Sequence, residues 1–478
     1  MIEIEEYSTF YKIKKQPNLN LYELKKMLST KDFRNNVISY AYTEYPTILT
    51  VPRIDKDLLK KKIDKEIKFI KMNCSKPKSI NFKMINKPKD KIQEEVIDKT
   101  INNFKNSGQT IITLQTGQGK TYIATNIISK LKMKALVLVQ RNTLREQWFK
   151  SFKTHTDCKS VVTLKGTGDL QILLEDNEFY DVYITTHASI RNFINEFGIK
   201  NFNLLLAKHG IGIKVYDEFD METKSMFYLD THTNIKNTLY LSATDFKSSK
   251  ADQAVFKKVF GDMVNIGKEY AVDVDRTLVT LFYESNPTSD ERKRCYKYVY
   301  HLQERKFDKQ RFHLYQMNKK AYLESLDKIW NNYVKPKLGK GLRFVFFIGR
   351  IDPAIELRDI ISERYDYDID NIGIFNSSIS KKNKDIEVTK EIIISTSLSL
   401  GRGVDMDKLD TVTDFETRSS KSEFAQAVGR VSRTGGVKGT YIMLVDTSFD
   451  EVMNNYRNKK YKDYFTEFET IDLRESEE

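Results

Sequence analysis

The stretch Leu114-Gln115-Thr116-Gly117-Gln118-Gly119-Lys120-Thr121 limits what this chain can become more than any other. Before it, Thr110-Ile111-Ile112-Thr113-Leu114 reads as a buried strand, and after it residues 122–131 carry apolar side chains at helical spacing. A strand, a glycine-bearing loop and a helix opened by Lys-Thr form the setting that a phosphate-binding loop requires. Glycines let the backbone curl until several N–H groups point inward, and the helix N-terminus adds partial positive charge. Thr116, Gly117, Gln118 and Gly119 would cradle the phosphates of ATP, with Lys120 on the β and γ groups and the Thr121 hydroxyl on Mg2+. One position departs from the usual pattern. Leu114 stands where glycine is expected, which leaves open a weakened nucleotide site.

The rest of the chain supplies what such a loop needs. Ala135-Leu-Val-Leu-Val139, Val161-Val-Thr-Leu164, Asp181-Val-Tyr-Ile-Thr-Thr186 and Gly212-Ile-Lys-Val-Tyr216 are apolar strands separated by helical or turn segments. That alternation implies a parallel α/β sheet, whose ligands lie at the carboxyl ends of the strands. Asp217-Glu218-Phe219-Asp220 stands at one such end. Asp217 suits Mg2+, and Glu218 suits orienting and deprotonating a water. Thr238-Leu-Tyr-Leu241 then delivers Ser242-Ala243-Thr244, which either caps a helix or relays between domains. About twenty-five residues before the loop, Gln93 lies on a helix and can read an adenine edge with its paired donor and acceptor.

Composition narrows the class. A chain of 478 residues exceeds one ordinary core, so two or three domains are expected. Three cysteines, far apart and odd in number, suggest neither a disulfide framework nor a metal cluster. Residues 1–7 are acidic, without the apolar core of a signal peptide, and no apolar run is long enough for a bilayer; the expectation is a cytoplasmic protein without a membrane partner. The net charge of +13 suits nucleic acid. From Arg53 to Lys91 there are fourteen Lys or Arg against five Asp or Glu, either a solvated helix face or a phosphate-tracking surface. Residues 21–28 read as a short helix, 47–52 as a strand stopped by proline, and 56–71 as a lysine-laden helix. The Tyr-, Lys- and Arg-rich segment 287–335 reads as packing or as an insertion that contacts nucleic acid.

Gln93, Gly117 to Thr121, Asp217-Glu218-Phe219-Asp220 and Ser242-Ala243-Thr244 occur in the order of the superfamily 2 helicases, and the chain resembles that family over about residues 86–445. Further on, Gly349-Arg350 resembles motif IV, the run from Thr396 to Gly401-Arg402-Gly403-Val404-Asp405 resembles motif V, and Gln426-Ala-Val-Gly429-Arg430-Val-Ser-Arg433 resembles motif VI. Three departures (Phe219 in the acidic motif, Gln140 where proline is usual, Gln426 where histidine is usual) bring it closer to phage and large-DNA-virus helicases.

The resemblance implies two tandem RecA-like parallel-sheet domains with a small N-terminal accessory domain: 1–85 accessory, 86–262 ATP-binding and 263–478 C-terminal. It implies an ATP- and Mg2+-dependent motor on nucleic acid, preferring single-stranded, forked or branched DNA. Gly403 and Asp405 would help bind nucleotide. Gln426, Arg430 and Arg433 would act in hydrolysis, with Arg433 as the cation on the γ-phosphate. Arg141, Thr186, His187, Arg350 and Thr396 would follow a nucleic-acid backbone, while Ser242 and Thr244 would couple the domains. Two alternatives stay open: an RNA helicase or transcript-release remodeller, and an ATP-binding protein without turnover.

Overall fold

Strands without a polar face need cover on both sides, and in this chain helices provide it. The structure, a computed structural model, describes residues 1–478 apart from 33–34, 115–117, 222, 244–249, 271–274, 301–302, 318, 350, 377, 381–382, 384–385, 397–407, 416–423, 425–426, 429–437, 450–451, 454–463 and 475–478. It divides into two compact units, Met1–Ala271 and Val272–Glu478.

The first unit opens with β1 (Ile2–Glu6), β2 (Phe10–Lys14), β3 (Ser29–Lys31), β4 (Val37–Tyr40), β5 (Thr43–Glu44), β6 (Ile48–Pro52) and β7 (Ile67–Lys71). Five of these form a sheet in the order β5-β6-β2-β1-β7, and β3 and β4 pair separately. The helix expected over 56–71 stops early. It runs Lys56–Ile63, Asp64 turns left-handed at φ 52°, and β7 follows as a strand parallel to β1. Backbone pairing with a strand more than sixty residues away settles that stretch, which local lysine content could not reveal.

Next come β8 (Gln109–Thr113), β9 (Lys134–Val139), β10 (Val161–Thr163), β11 (Val182–Thr186), β12 (Ile211–Asp217), β13 (Asn237–Ser242) and β14 (Asn265–Ile266). They form a parallel sheet in the order β10-β11-β9-β12-β13-β8-β14. Alternate residues of β9 serve opposite faces: Ala135, Val137 and Val139 join one apolar cluster, Leu136 and Leu138 the other. The second cluster also contains Ile4, Tyr11, Ile13, Leu49 and Val51, so the N-terminal sheet belongs to the same unit. Because β14 adds to the edge beside β8, the unit continues to Ala271, past the expected division at 262/263.

The second unit contains β15 (Arg276–Tyr283), β16 (Tyr296–Val299), β17 (Glu304–Phe307), β18 (Arg343–Phe347), β19 (Ile372–Phe375), β20 (Ile392–Ser395), β21 (Leu409–Asp414), β22 (Gly439–Asp446) and β23 (Glu467–Asp472). Apart from the antiparallel β16–β17 hairpin, these form a parallel sheet in the order β19-β20-β18-β21-β22-β15-β23. Ranked along the chain, the described strands of both large sheets read third, fourth, second, fifth, sixth, first, seventh. The molecule therefore holds two copies of one RecA-like topology, as the motif order implies. Among the described residues no helix is long and apolar enough to cross a membrane.

A buried ion pair ties the first unit together. Lys214, 1% exposed on β12, donates to Asp230 at 2.5 Å and to Thr233 at 2.8 Å. Tyr216 and Tyr240 donate to the same carboxylate at 2.8 and 2.7 Å, and Thr9 of the N-terminal region donates to the Asp230 carbonyl at 2.7 Å. Burial pulls the Lys214 ammonium below its ordinary pKa, and Asp230 opposes that shift. Removing one partner leaves a buried charge without compensation. Asp230→Asn is therefore expected to destabilise this unit by about 3–5 kcal/mol, seen as a lower urea midpoint, while Lys214→Met with Asp230→Leu recovers most of the loss.

Candidate active site

The site is a consequence of strand order. β13 lies between β12 and β8, with Asp217 opposite Leu241 and Ser242 opposite Thr113. The acidic motif, the Ser-Ala-Thr turn and the phosphate loop therefore leave the sheet side by side, about one strand spacing apart.

At the loop, Gly119 has φ 81° and caps the helix Lys120–Leu131. A side chain there would be strained and would come within 2.4 Å of Gln93 Nε2. Gln93, 3% exposed, donates to the Gln118 carbonyl at 3.2 Å and accepts from the Lys89 amide at 3.1 Å. It thus braces the loop. Lys120 Nζ donates to the Leu114 carbonyl at 3.0 Å, so the lysine spans the loop's two ends. Thr121 is half-buried one residue further along. Thr116 and Gly117 lie outside the described residues.

Leu114 turns inward. Its side chain is 1% exposed and joins the cluster that holds Ile112 and Ile266. Room for it comes from Gly267, just after β14, where φ is 102° and a Cβ would come within 2.9 Å of Leu114 Cδ2. The departure from glycine is thus absorbed in the core. The segment after Gly267 also reaches the loop: Gln118 Nε2 donates to the Tyr270 carbonyl at 3.1 Å, and the Tyr270 hydroxyl donates to Glu95 on the Gln93 helix at 2.6 Å.

Asp217 is 7% exposed and accepts a hydrogen bond from Trp148 Nε1 at 2.8 Å. Burial first and the neighbouring Glu218 second push its carboxyl up to about 6, while the Trp148 indole and the Lys120 charge pull it back. Glu218 sits at φ 51°, a left-handed conformation uncommon for a residue with a side chain. Gln140 Nε2 donates to its carbonyl at 2.9 Å. Proline, usual at position 140 in the family, has no side-chain donor for that bond. Ser242 Oγ donates to Asp220 at 2.7 Å, which joins the third motif to the acidic one; Thr244 lies outside the described residues.

Hydroxyl and carboxylate oxygens suit a hard cation, so Thr121 and Asp217 fit Mg2+. Among the described residues no group of three or more His, Cys, Asp or Glu could hold a metal ion. A nucleotide-borne Mg2+ needs no such cage, because phosphates and water complete its shell.

Beside this site, the ends of β9, β10 and β11 open onto a cleft of about 510 Å³ lined by Gln140, Arg141, Arg145, Lys165, Thr186 and Ser189, among others. Three helices begin there, Asn142–His155, Gly166–Glu175 and His187–Phe197, so their positive ends converge. Arg141 is exposed, as its expected role requires. Thr186 is 6% exposed and caps its helix by accepting from the Ser189 amide at 3.1 Å. His187 corrects the sequence reading. It is 1% exposed, its ring tilted 30° to that of Tyr216 with the centroids 5.4 Å apart, and burial with nearby Arg191 and Lys214 pushes its pKa down to about 3. A neutral ring inside the core cannot meet a phosphate backbone. Thr396 is half-buried just past β20, whereas Arg350, Gly403, Asp405, Gln426, Arg430 and Arg433 lie outside the described residues.

Trp148, Arg145 and Gly267 were not visible as site residues, since nothing in their spacing links them to Asp217, the cleft or Leu114. The Trp148 bond has a measurable consequence. Charge-assisted hydrogen bonds contribute about 1.5–3 kcal/mol, so Trp148→Phe is expected to raise the Asp217 pKa by about one unit or more. Were Asp217 to hold the Mg2+ of a bound nucleotide, that binding would require its carboxylate form. Its acid limb, expected near pH 6 in the parent protein from the raised Asp217 pKa, would then move to higher pH in the variant, as titration calorimetry across pH 5–8 reads directly; an unmoved limb would rule Asp217 out.

Comparison with known proteins agrees with this geometry. Residues 86–246, which span every described motif of the site, match the family model "Type III restriction enzyme, res subunit". "Putative helicase 161L" of Invertebrate iridescent virus 6 is 23% identical over 78% of this chain and 79% of its own length. "Putative ATP-dependent RNA helicase L396" of Acanthamoeba polyphaga mimivirus is 19% identical over 78% and 66%. "Transcript termination protein A18" of Rabbit fibroma virus (strain Kasza) is 23% identical over 72% and 68%. Among solved structures, a fragment of a putative HsdR subunit of a type I restriction enzyme from Vibrio vulnificus YJ016 superposes with a TM-score of 0.52 over 80% of this chain and 68% of its own, and at 16% identity this likeness concerns the fold. Together with the motif order and the two copies of one RecA-like sheet, these likenesses support a superfamily 2 helicase with nucleic-acid-dependent ATPase activity.

Proposed function

We propose that this protein is an ATP-driven motor that moves on and unwinds DNA, with single-stranded, forked or branched DNA as its substrate. One observation carries the reading. A phosphate loop with an acidic pair and a cationic cleft at three helix N-termini share the carboxyl rim of one sheet. The first suits ATP hydrolysis and the second suits a sugar–phosphate backbone.

In this reading Lys120 leaves the Leu114 carbonyl for the β- and γ-phosphates, a stronger acceptor for its ammonium. Thr121 and Asp217 hold Mg2+, which supplies charge neutralisation at the phosphate oxygens when bound. Glu218 orients a water and takes its proton as the water oxygen bonds to the γ-phosphorus and ADP departs. By motif order Gly403 and Asp405 contribute to nucleotide binding, Gln426 and Arg430 to hydrolysis, and Arg433 to γ-phosphate charge. Arg141, Thr186, Arg350 and Thr396 follow the strand, and Thr244 joins Ser242 in coupling hydrolysis to movement. The lysines of residues 1–85 add duplex contacts.

A second reading is favoured by two relatives, one named an RNA helicase and one a transcript termination protein. It makes RNA or a transcription complex the substrate. ATPase assays with single-stranded DNA, forks, four-way junctions and RNA separate the two, because the true substrate stimulates turnover most. Lys120→Ala and Glu218→Gln are each expected to lower stimulated turnover by at least about a hundredfold. Parent protein that binds ATP yet shows no turnover with any of these would defeat the motor reading altogether.

A further inference from the structure

Between β15 and β18 the second unit carries a stretch that none of the helicase motifs occupies. Its last part is core, with Tyr322, Leu326, Ile329 and Trp330 buried. Its first part is not. The helix Ser289–Arg294, the β16–β17 hairpin and the helix Lys309–Gln316 line an open cleft of about 590 Å³. Lys293, Arg294, Lys297, Arg305 and Arg311 face it, against Asp290. Lys293 has Asp290 at 3.5 Å and Arg311 has Asp308 at 3.9 Å. Arg294, Lys297 and Arg305 pair with no carboxylate among the described residues.

Tyrosines stand between these cations. Tyr298 is 43% and Tyr300 85% exposed, and their rings meet edge to face at 5.1 Å. Tyr298 lies opposite Arg305 across the hairpin. The support beneath is firm: Cys295, Phe312 and Phe449 are buried together, with Tyr296 and Phe307 packed against them. The Lys309–Gln316 helix is also anchored to the large sheet. His313 is 3% exposed and lies so close to Gly349, just past β18, that a Cβ there would come within 2.9 Å of its ring.

Unpaired cations alternating with open rings match one kind of ligand particularly well. Single-stranded nucleic acid presents phosphates at short intervals and unpaired bases that stack on any aromatic face. An acidic peptide would satisfy the cations but leave Tyr298 and Tyr300 uncovered. We propose that this cleft binds single-stranded nucleic acid, with backbone phosphates on Arg294, Lys297 and Arg305 and bases on Tyr298 and Tyr300. The proposal rests on the motor reading and adds to it a contact surface outside the family motifs.

The test uses the full-length protein and fluorescein-labelled dT20 and U20, read by anisotropy over a range of salt. Tyr298→Ala with Tyr300→Ala is expected to weaken binding at least tenfold, since each stacked base contributes about a fivefold or greater gain. Lys297→Gln with Arg305→Gln is expected to flatten the slope of log Kd against log salt by about 1.4, or about 0.7 per lost phosphate contact. Whichever oligonucleotide loses more affinity identifies the source of the strand. Basal ATPase without nucleic acid and the urea midpoint should stay as in the parent, which separates lost contacts from lost folding. Affinity within twofold of the parent and an unchanged salt slope in both variants would overturn the proposal, as would a parent that binds neither strand. If the parent and variants bind as expected but no nucleic acid stimulates turnover, the cleft stands and the motor reading fails.

Discussion

Hydrogen bonding of β13 between β8 and β12 is the constraint on which the site depends. These strands are far apart in the chain, and each ends in a different polar motif. Parallel pairing in this register brings Thr113, Ser242 and Asp217 to one rim, where the loop, the hydroxyl turn and the acidic turn meet. The Leu114 amide donates to the Ser242 carbonyl at 3.1 Å and the Phe219 amide to the Leu241 carbonyl at 3.1 Å, so the same pairing continues into the turns. A register shift of one residue would point these side chains to the other face and dissolve the grouping.

Upon that frame the site is tuned by residues that no motif names. Asp217 would be an ordinary ionised aspartate if exposed. Burial beside Glu218 makes it hard to ionise, and the Trp148 indole with the Lys120 charge limits that rise. The result is a carboxyl raised to about 6, above the ordinary carboxylate range. Glu218 is held in a left-handed turn, and Gln140 secures that turn through its carbonyl. Leu114, the least orthodox position, costs the loop little because Gly267 leaves space for it. Burying a leucine contributes about 1.5–3 kcal/mol to stability.

The same rim explains why charge alone is a poor guide to strand contacts. Thr186 ends β11 and lines the cationic cleft, and His187 follows it in sequence. Yet the helix that begins there turns His187 inward onto Tyr216, and only Arg141 of that trio presents a charged group to solvent. The helix N-termini supply positive potential where the histidine does not. In the second unit, the segment 287–335 divides into a half packed around Trp330, as one of its two readings expects, and an open, basic, tyrosine-bearing half at the hairpin.

Much of this was legible in the residues. Apolar runs such as Lys134–Val139 and Arg343–Phe347 announce buried parallel strands, because a strand covered on both faces has no polar side to show. The phosphate loop, the acidic pair and the order of motifs are local or nearly so, and they implied two RecA-like sheets and ATP chemistry. Strand pairing is not local. The place of β7 beside β1, the addition of β14 to the first sheet, the Trp148–Asp217 bond and the space that Gly267 leaves for Leu114 join residues with no fixed separation in the chain. Sequence by itself determined which chemistry the chain carries, because that depends on residue type at short spacing. Tertiary structure alone decided which side chains are charged, buried or within reach, because those depend on what the fold brings against them.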